Sequence, residues 1–181
     1  LSVADEILAI LEARGVGAYF GEPVSVLAHG LQTAHFAREA GAPDELVLAA
    51  LLHDIGHLLE DAPACIEDWH ADAHHEELGS EWLARRFGPA VWNPVKLHVA
   101  AKRYLCATQP KYLAKLTAAS LRTLQLQGGP MSSDEVAAFR REPFCRDAVR
   151  VRLWDDQGKI DGLVTASLAD YRGLIESLAV R

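Results

Sequence analysis

No stretch of this sequence is apolar for the length that crossing a bilayer demands. The run from Leu46 to Leu52 is apolar, but His53 and Asp54 end it, so no membrane partner is expected. Basic excess is missing too: 18 Lys and Arg stand against 25 Asp and Glu, a formal net charge of -7. Wide nucleic-acid contact needs basic surface to neutralise phosphates, so no nucleic-acid partner is expected. A small anionic substrate is not excluded, because a metal pair and a few Lys or Arg residues set a local field of opposite sign. Cysteine is sparse: Cys65, Cys106 and Cys145 are odd in number, far apart and in no CxxC pair. That argues against a disulfide framework or a zinc ribbon and fits reduced thiols in the cytoplasm. A secretory leader is not expected, since Asp5 and Glu6 occupy the place of a basic n-region. The first residue is Leu, so the natural start is expected to lie upstream. Sustained strand alternation, internal repeats and low-complexity tracts are absent as well.

What remains is a chain of 181 residues, half of them hydrophobic and 24 % charged. That suits one globular domain with a sizeable core. Helix signals fill it. Ser2 caps a first helix that ends at Gly15. Pro23 opens a second, through about residue 40 and closed by Gly41. Pro43 starts a third, through about residue 60. A looser stretch, 61–72, carries Pro63 and Trp69. A fourth helix covers about 73–87 and stops at Gly88-Pro89; a fifth covers about 90–105, with Pro94 in its first turn. Beyond Pro110 shorter helices are broken by Gly128-Gly129-Pro130, Pro143 and Gly158, and a last helix covers about 168–179. The pattern predicts a single all-α domain over 1–181 with no linker.

The third helix is the informative one. Leu46, Val47, Leu48, Leu51, Leu52, Ile55, Leu58 and Leu59 point in most directions around it, as in a central buried helix. Yet His53, Asp54 and His57 lie within it, and burying such groups is costly unless they are paired or bind metal. The two oxygens of Asp54 let it bridge two metals. Further ligands are on hand in other helical segments: His29 upstream, His75 and His98 downstream, and Asp155 near the end. Helix bundles build metal sites from such facing side chains. On residue types alone, hydrogen-bonded core histidines remain the other reading. His35, His70 and His74 are read as surface or packing residues, and Arg140, Arg141, Arg146 and Arg150 as a solvated face.

The order H…HD…H…H…D resembles the HD-domain superfamily, an all-α helical bundle around a dinuclear metal site. Five segments narrow the likeness: Tyr19-Phe20-Gly21-Glu22, His75-Glu76, the run from His98 to Tyr104, Gln127-Gly128-Gly129-Pro130-Met131, and Arg152-Leu153-Trp154-Asp155. They resemble the PhnZ-type oxygenases, mixed-valent di-iron enzymes that cleave the carbon–phosphorus bond of hydroxylated aminoethylphosphonates. The resemblance runs from about residue 8 to residue 171.

It implies two iron ions, Fe(II) and Fe(III), with O2 as co-substrate. One iron would be held by His29, His53, Asp54 and Asp155. The other would be held by His75 and His98, with Asp54 as the bridge. Lys102, Arg152, His57, Ser120, Thr123 and Gln127 resemble the family's phosphonate cradle. Tyr19 and Glu22 resemble its lid, where the tyrosine ligates iron before substrate arrives and the glutamate faces the substrate's amino end. Tyr19, His57 and Lys102 carry over as catalytic residues. Plain alternatives stand beside these: a snorkelling Lys102, a surface Arg152, ordinary polar helix positions at Ser120 and Thr123, and a packed loop Tyr19 beside a solvated Glu22.

The implied reaction is oxidative cleavage of a small organophosphonate, a 1-hydroxy-2-aminoethylphosphonate or its N-trimethyl form. Phosphate and glycine or glycine betaine would leave. Two rivals share the HD signature. One is a metal-dependent phosphohydrolase acting on a nucleotide or other phosphate ester, whose metals would activate water. The other is an inactive HD-fold partner, against which the intact ligand set argues.

Overall fold

The computed structural model describes residues 1–59 and 74–180. The looser stretch expected around Pro63 and Trp69 lies outside the described residues, as do Cys65 and His70. Helix α1 (Val3–Arg14) is closed at its start by a capping box between Ser2 and Asp5 and ends at Gly15. Helix α2 (Val26–Glu39) begins later than Pro23 suggests: Ser25 is the capping residue, its hydroxyl accepting from the Ala28 amide. Pro23 instead belongs to a tight loop. In it the Tyr19 amide donates to the Val24 carbonyl at 2.9 Å and the Val26 amide to the Gly17 carbonyl at 3.1 Å.

The long third helix expected from Pro43 divides. Helix α3 (Asp44–Leu52) stops at His53, and a short α4 (Gly56–Leu59) follows. Between them the chain tightens to three-residue turns: the Ile55 amide donates to Leu52 and the His57 amide to Asp54, both at 3.0 Å. The reason is at Gly56, where a Cβ would lie 1.9 Å from the His75 carbonyl oxygen. Only glycine lets the chain bend this closely onto the next helix. His53 and Asp54 therefore sit at a helix end rather than mid-helix. In a continuous helix neighbouring side chains would fan roughly 100° apart around the axis.

Helix α5 (His75–Ala84) leads to the longest element, α6 (Pro89–Thr108), where Pro94 falls in the second turn instead of the first. Short helices follow: α7 (Pro110–Leu113), α8 (Ala118–Leu126) and α9 (Ser133–Phe139). Helix α10 (Cys145–Gln157) returns to the core; a 3-10 turn (Leu168–Tyr171) and α11 (Arg172–Leu178) end the description. Residues Leu46 to Leu52 of α3 are all buried. Helices α2, α6, α10 and α11 pack on α3, and α5 packs on α6. Each fully buried Leu or Ile there contributes about 1.5–3 kcal/mol.

The all-α expectation holds among the described residues, whose extended pairings are two isolated bridges, Ala18 with Ser25 and Phe87 with Ala179. No helix among them is long and apolar enough to cross a membrane.

Candidate metal centre

Six side chains converge where α2, α3, α5, α6 and α10 meet. His29 comes from the first turn of α2, His53 and Asp54 from the end of α3, and His75 from the first residue of α5. His98 comes from the middle of α6 and Asp155 from the last turn of α10. None is more than 6 % exposed. Asp54 divides its carboxylate between two histidine pairs. Its Oδ2 lies 3.3 Å from His53 Nε2 and 3.6 Å from His29 Nε2. Its Oδ1 lies 3.3 Å from His75 Nε2 and 3.5 Å from His98 Nε2. Asp155 joins the first pair, with Oδ1 3.3 Å from His29 Nε2. Two three-residue groups, His29–His53–Asp54 and Asp54–His75–His98, thus have the spacing of metal ligands.

The hydrogen bonds show that these groups fit metal ions. The Nδ1 atoms of His29, His53 and His98 meet the carbonyls of Gly158, Ala50 and Val95 at 2.8, 2.9 and 2.7 Å. A carbonyl can only accept, so each Nδ1 carries a proton and Nε2 is the atom left to face the cluster, able to offer its lone pair to a metal ion. The Nε2 atoms of His29 and His53 approach to 3.1 Å. With both Nδ1 atoms already carrying protons, that contact demands a cation, either a proton or a metal ion. The Nε2 atoms of His75 and His98 approach to 3.2 Å. Asp155 Oδ1 is buried with no hydrogen-bond partner, as a ligand oxygen would be before its metal is counted. Burial opposes charge on His53, but Asp54 and then Asp155 outweigh it and raise the imidazole to about 9. Burial likewise opposes ionisation of Asp54, which His53 nevertheless holds well below the usual carboxylate range. Imidazole and carboxylate without thiolate suit iron, zinc or manganese.

Over this centre lies a cavity of about 40 Å³, lined on one side by α8 and on another by the Tyr19 loop. Lys102, one turn beyond His98, is buried and donates to Thr123 Oγ1 at 2.8 Å. It is not a snorkelling surface lysine; burial and then Arg152 bring its ammonium down to about 7. Arg152 is buried too, donating to Asp155 Oδ2 at 2.7 Å and to Tyr112 at 3.0 Å, with Asp156 across its other edge. Ser120 and Gln127 line the same wall, and Gln127 Oε1 is buried without a partner. The Gln127 loop is tied to α6, since Arg103 donates to the Gly129 carbonyl at 2.8 Å. His57 stacks on His75 with ring centroids 3.8 Å apart, and burial, then His75, lower its pKa well below the ordinary value. Tyr19 stacks on His29 at 4.1 Å and donates to Asp54 Oδ2 at 2.7 Å. Glu22 accepts from Thr117 at 2.7 Å and lies 3.6 Å from Lys159. The fold thus brings all the expected site residues to one place.

Four contributors were not anticipated. Asp156 and Tyr112 clamp Arg152, and the spacing of Asp156 four residues after Arg152 was a usable signal. Glu76 is buried with Oε2 3.5 Å from His75 Nδ1. Lys159 sits on the cavity wall after α10 has ended, and no local pattern marks it. His74, the neighbour of His75, is exposed as expected. Arg140 lies over Tyr104 and Arg150 over Trp154, away from the centre.

The chain belongs to the HD-domain family: a model of that domain matches residues 26–156, a span that includes all six convergent residues. Within it the chain resembles phosphonate dioxygenases. It is 39 % identical over 177 residues to the [1-hydroxy-2-(trimethylamino)ethyl]phosphonate dioxygenase (glycine-betaine-forming) of Leisingera caerulea, covering 98 % of this chain and 90 % of that protein. It is 44 % identical over 164 residues to the hydroxymethylphosphonate dioxygenase of Gimesia maris, covering 88 % of this chain and 80 % of that protein.

Proposed function

We propose that this chain is a di-iron oxygenase that uses O2 to cleave the carbon–phosphorus bond of a 1-hydroxyphosphonate. The 1-hydroxy-2-aminoethyl and N-trimethyl compounds are the substrates the sequence resemblance points to. The observation that carries the proposal is the divided carboxylate of Asp54, with Lys102, Thr123 and Ser120 on the wall of the cavity above it. His29, His53, Asp54 and Asp155 would hold one iron, and Asp54, His75 and His98 the other. The second set has fewer protein ligands, which leaves room for a substrate. When bound, the iron pair in its Fe(II)/Fe(III) state supplies the redox chemistry with O2. The products, phosphate and a carboxylic acid, together exceed the substrate by the two oxygen atoms that O2 provides.

The protein's part is binding and orientation. Lys102 supplies charge to the phosphonate, and Ser120, Thr123 and Gln127 supply directed hydrogen bonds. Asp155 and Asp156 fix Arg152 as a stationary positive charge beside them. His57 stays neutral through burial and can accept a hydrogen bond from the substrate hydroxyl. Tyr19 closes the cavity, whose remaining space suits a few waters. A substrate therefore enters as Tyr19 leaves Asp54, and return of the Tyr19 loop over the bound substrate excludes bulk water while the reaction proceeds.

A phosphohydrolase would bind the same metals, but the relatives this chain resembles are named as dioxygenases. The packing of α11 on α3 and of α1 on α4 ties both end segments, outside the 26–156 match, to the matched helices and supports one HD-type domain over 1–181. The free thiols of Cys106 and Cys145 suit a reducing cytoplasm. The test is metal analysis and electron paramagnetic resonance of aerobically purified protein, with phosphate release measured with and without O2. A coupled Fe(II)/Fe(III) signal and strictly O2-dependent release are expected. Phosphate-ester hydrolysis without O2, and no such signal, would overturn the proposal.

A further inference from the structure

The carboxylates on the cavity wall, among the described residues, are Asp54, Asp155 and Glu22. The first two belong to the metal centre, which leaves Glu22 as the group that could attract a cationic tail on the substrate. Glu22 already faces a cation. Lys159 Nζ lies 3.6 Å from its Oε1, donates to Ser120 Oγ at 3.2 Å, and stands 5.9 Å from the centre of the Tyr19 ring. The side chains of Glu22 and Lys159 are only 11 % and 9 % exposed, so solvent screens the pair little.

Lys159 is also held in place from both sides. The carbonyl of Gly158 accepts from His29 at 2.8 Å, and a Cβ on Gly158 would lie 2.7 Å from Thr33 Oγ1. The backbone of Ile160 is bracketed by Gln32, which accepts from its amide at 2.9 Å and donates to its carbonyl at 2.8 Å. The lysine is thus carried by backbone fixed to α2, the helix that bears His29.

We infer that Lys159 is a specificity residue: it neutralises Glu22 and turns the tail end of the cavity against a substrate ammonium, so the chain prefers 1-hydroxyphosphonates without a cationic tail. The inference rests on the phosphonate-oxygenase reading. A trimethylammonium has no N–H to offer Glu22, and its diffuse charge meets the Lys159 ammonium before a free carboxylate. A substrate that ends at the hydroxyl-bearing carbon pays no such repulsion.

Iron-loaded wild type, Lys159→Met and Lys159→Arg are to be compared on hydroxymethylphosphonate and [1-hydroxy-2-(trimethylamino)ethyl]phosphonate. Phosphate release under O2 gives kcat/KM, and calorimetry without O2 gives the affinity of each compound. Wild type should favour hydroxymethylphosphonate, Lys159→Met should move the ratio of the two kcat/KM values towards the trimethylammonium compound by roughly tenfold to a hundredfold, and Lys159→Arg should keep the wild-type ratio. The affinity ratio should move in the same direction. A ratio unchanged in Lys159→Met, or a wild type that favours the trimethylammonium compound, would overturn the inference. Failure of wild type to release phosphate from either compound would overturn the oxygenase reading instead, and the calorimetric ratio would still decide whether Lys159 selects against the cation.

Discussion

The two walls of the cavity are held by different means. On the metal side, His29, His53 and His98 are each anchored through Nδ1 to a backbone carbonyl, and the helices that bear them form the buried core. On the opposite side, α8 buries only Ser120 and Leu124. The groups there are placed by one another: Lys102 by Thr123, Glu22 by Thr117, Lys159 by Ser120 and Glu22. A ligand fixed by helix packing keeps its geometry when a neighbour is changed. A group fixed by a partner side chain does not. The difference suits the proposed chemistry, since the metals need a rigid cage whereas the lid and cradle must admit and release a substrate.

The sharpest way to break this contrast is on the metal side. Asp54→Ala should lose both metal ions, because the same carboxylate faces both histidine pairs. Metal content of the purified variant checks it; two irons per chain would show that the cage does not depend on the bridge. A smaller and different effect is expected across the cavity. Lys102→Ala should raise KM for the phosphonate with little change in iron content, since a charge-assisted hydrogen bond in a site of this kind contributes roughly 1.5–3 kcal/mol. Unchanged KM would remove Lys102 from the cradle.

The pH profile sharpens the same point. Lys102 loses its proton, and its charge, as pH rises through about 7. KM in wild type should therefore climb across that range, and Lys102→Arg, whose guanidinium stays charged, should flatten the climb. Stability moves the other way: between about 7 and the ordinary lysine value of 10.5 the unfolded chain binds the proton that the folded chain has lost. The contribution of Lys102 to stability thus rises with pH over that window. Smallest of all in its effect on metal content is Tyr19→Phe. On the di-iron proposal it should keep both metal ions but lose the tyrosinate-to-iron absorption that a substrate-free enzyme with Tyr19 on iron would show. Loss of iron in that variant would place Tyr19 with the cage instead of the lid.

Much of this was readable in the linear sequence. The Ser2 helix start follows from capping chemistry that acts within one turn, and the Pro43 start from the backbone restriction of proline, without a side-chain cap. His53 and Asp54 stood out because an apolar helix has no reason to bury them unless something pairs with them. His29, His75, His98 and Asp155 were candidates on other helical segments, and the family resemblance joined them into one set. The break after Leu52 was not readable, because Gly56 is required by the carbonyl of His75, a residue far along the chain. The start of α2 at Val26 instead of Pro23 was set by the loop that carries Tyr19.

By itself the sequence determined an all-helical chain and marked its candidate metal-binding side chains, both of which depend on residue type and short-range spacing. The phosphonate cradle came only from the family resemblance. Only the tertiary structure decided which oxygen of Asp54 serves which histidine pair, that Arg152 is clamped between Asp155, Asp156 and Tyr112, and that Lys159 meets Glu22. Glu22 and Lys159 lie on different loops. They meet only because α10 packs on α2 and α6, and hydrophobic burial, not any local signal, sets that packing.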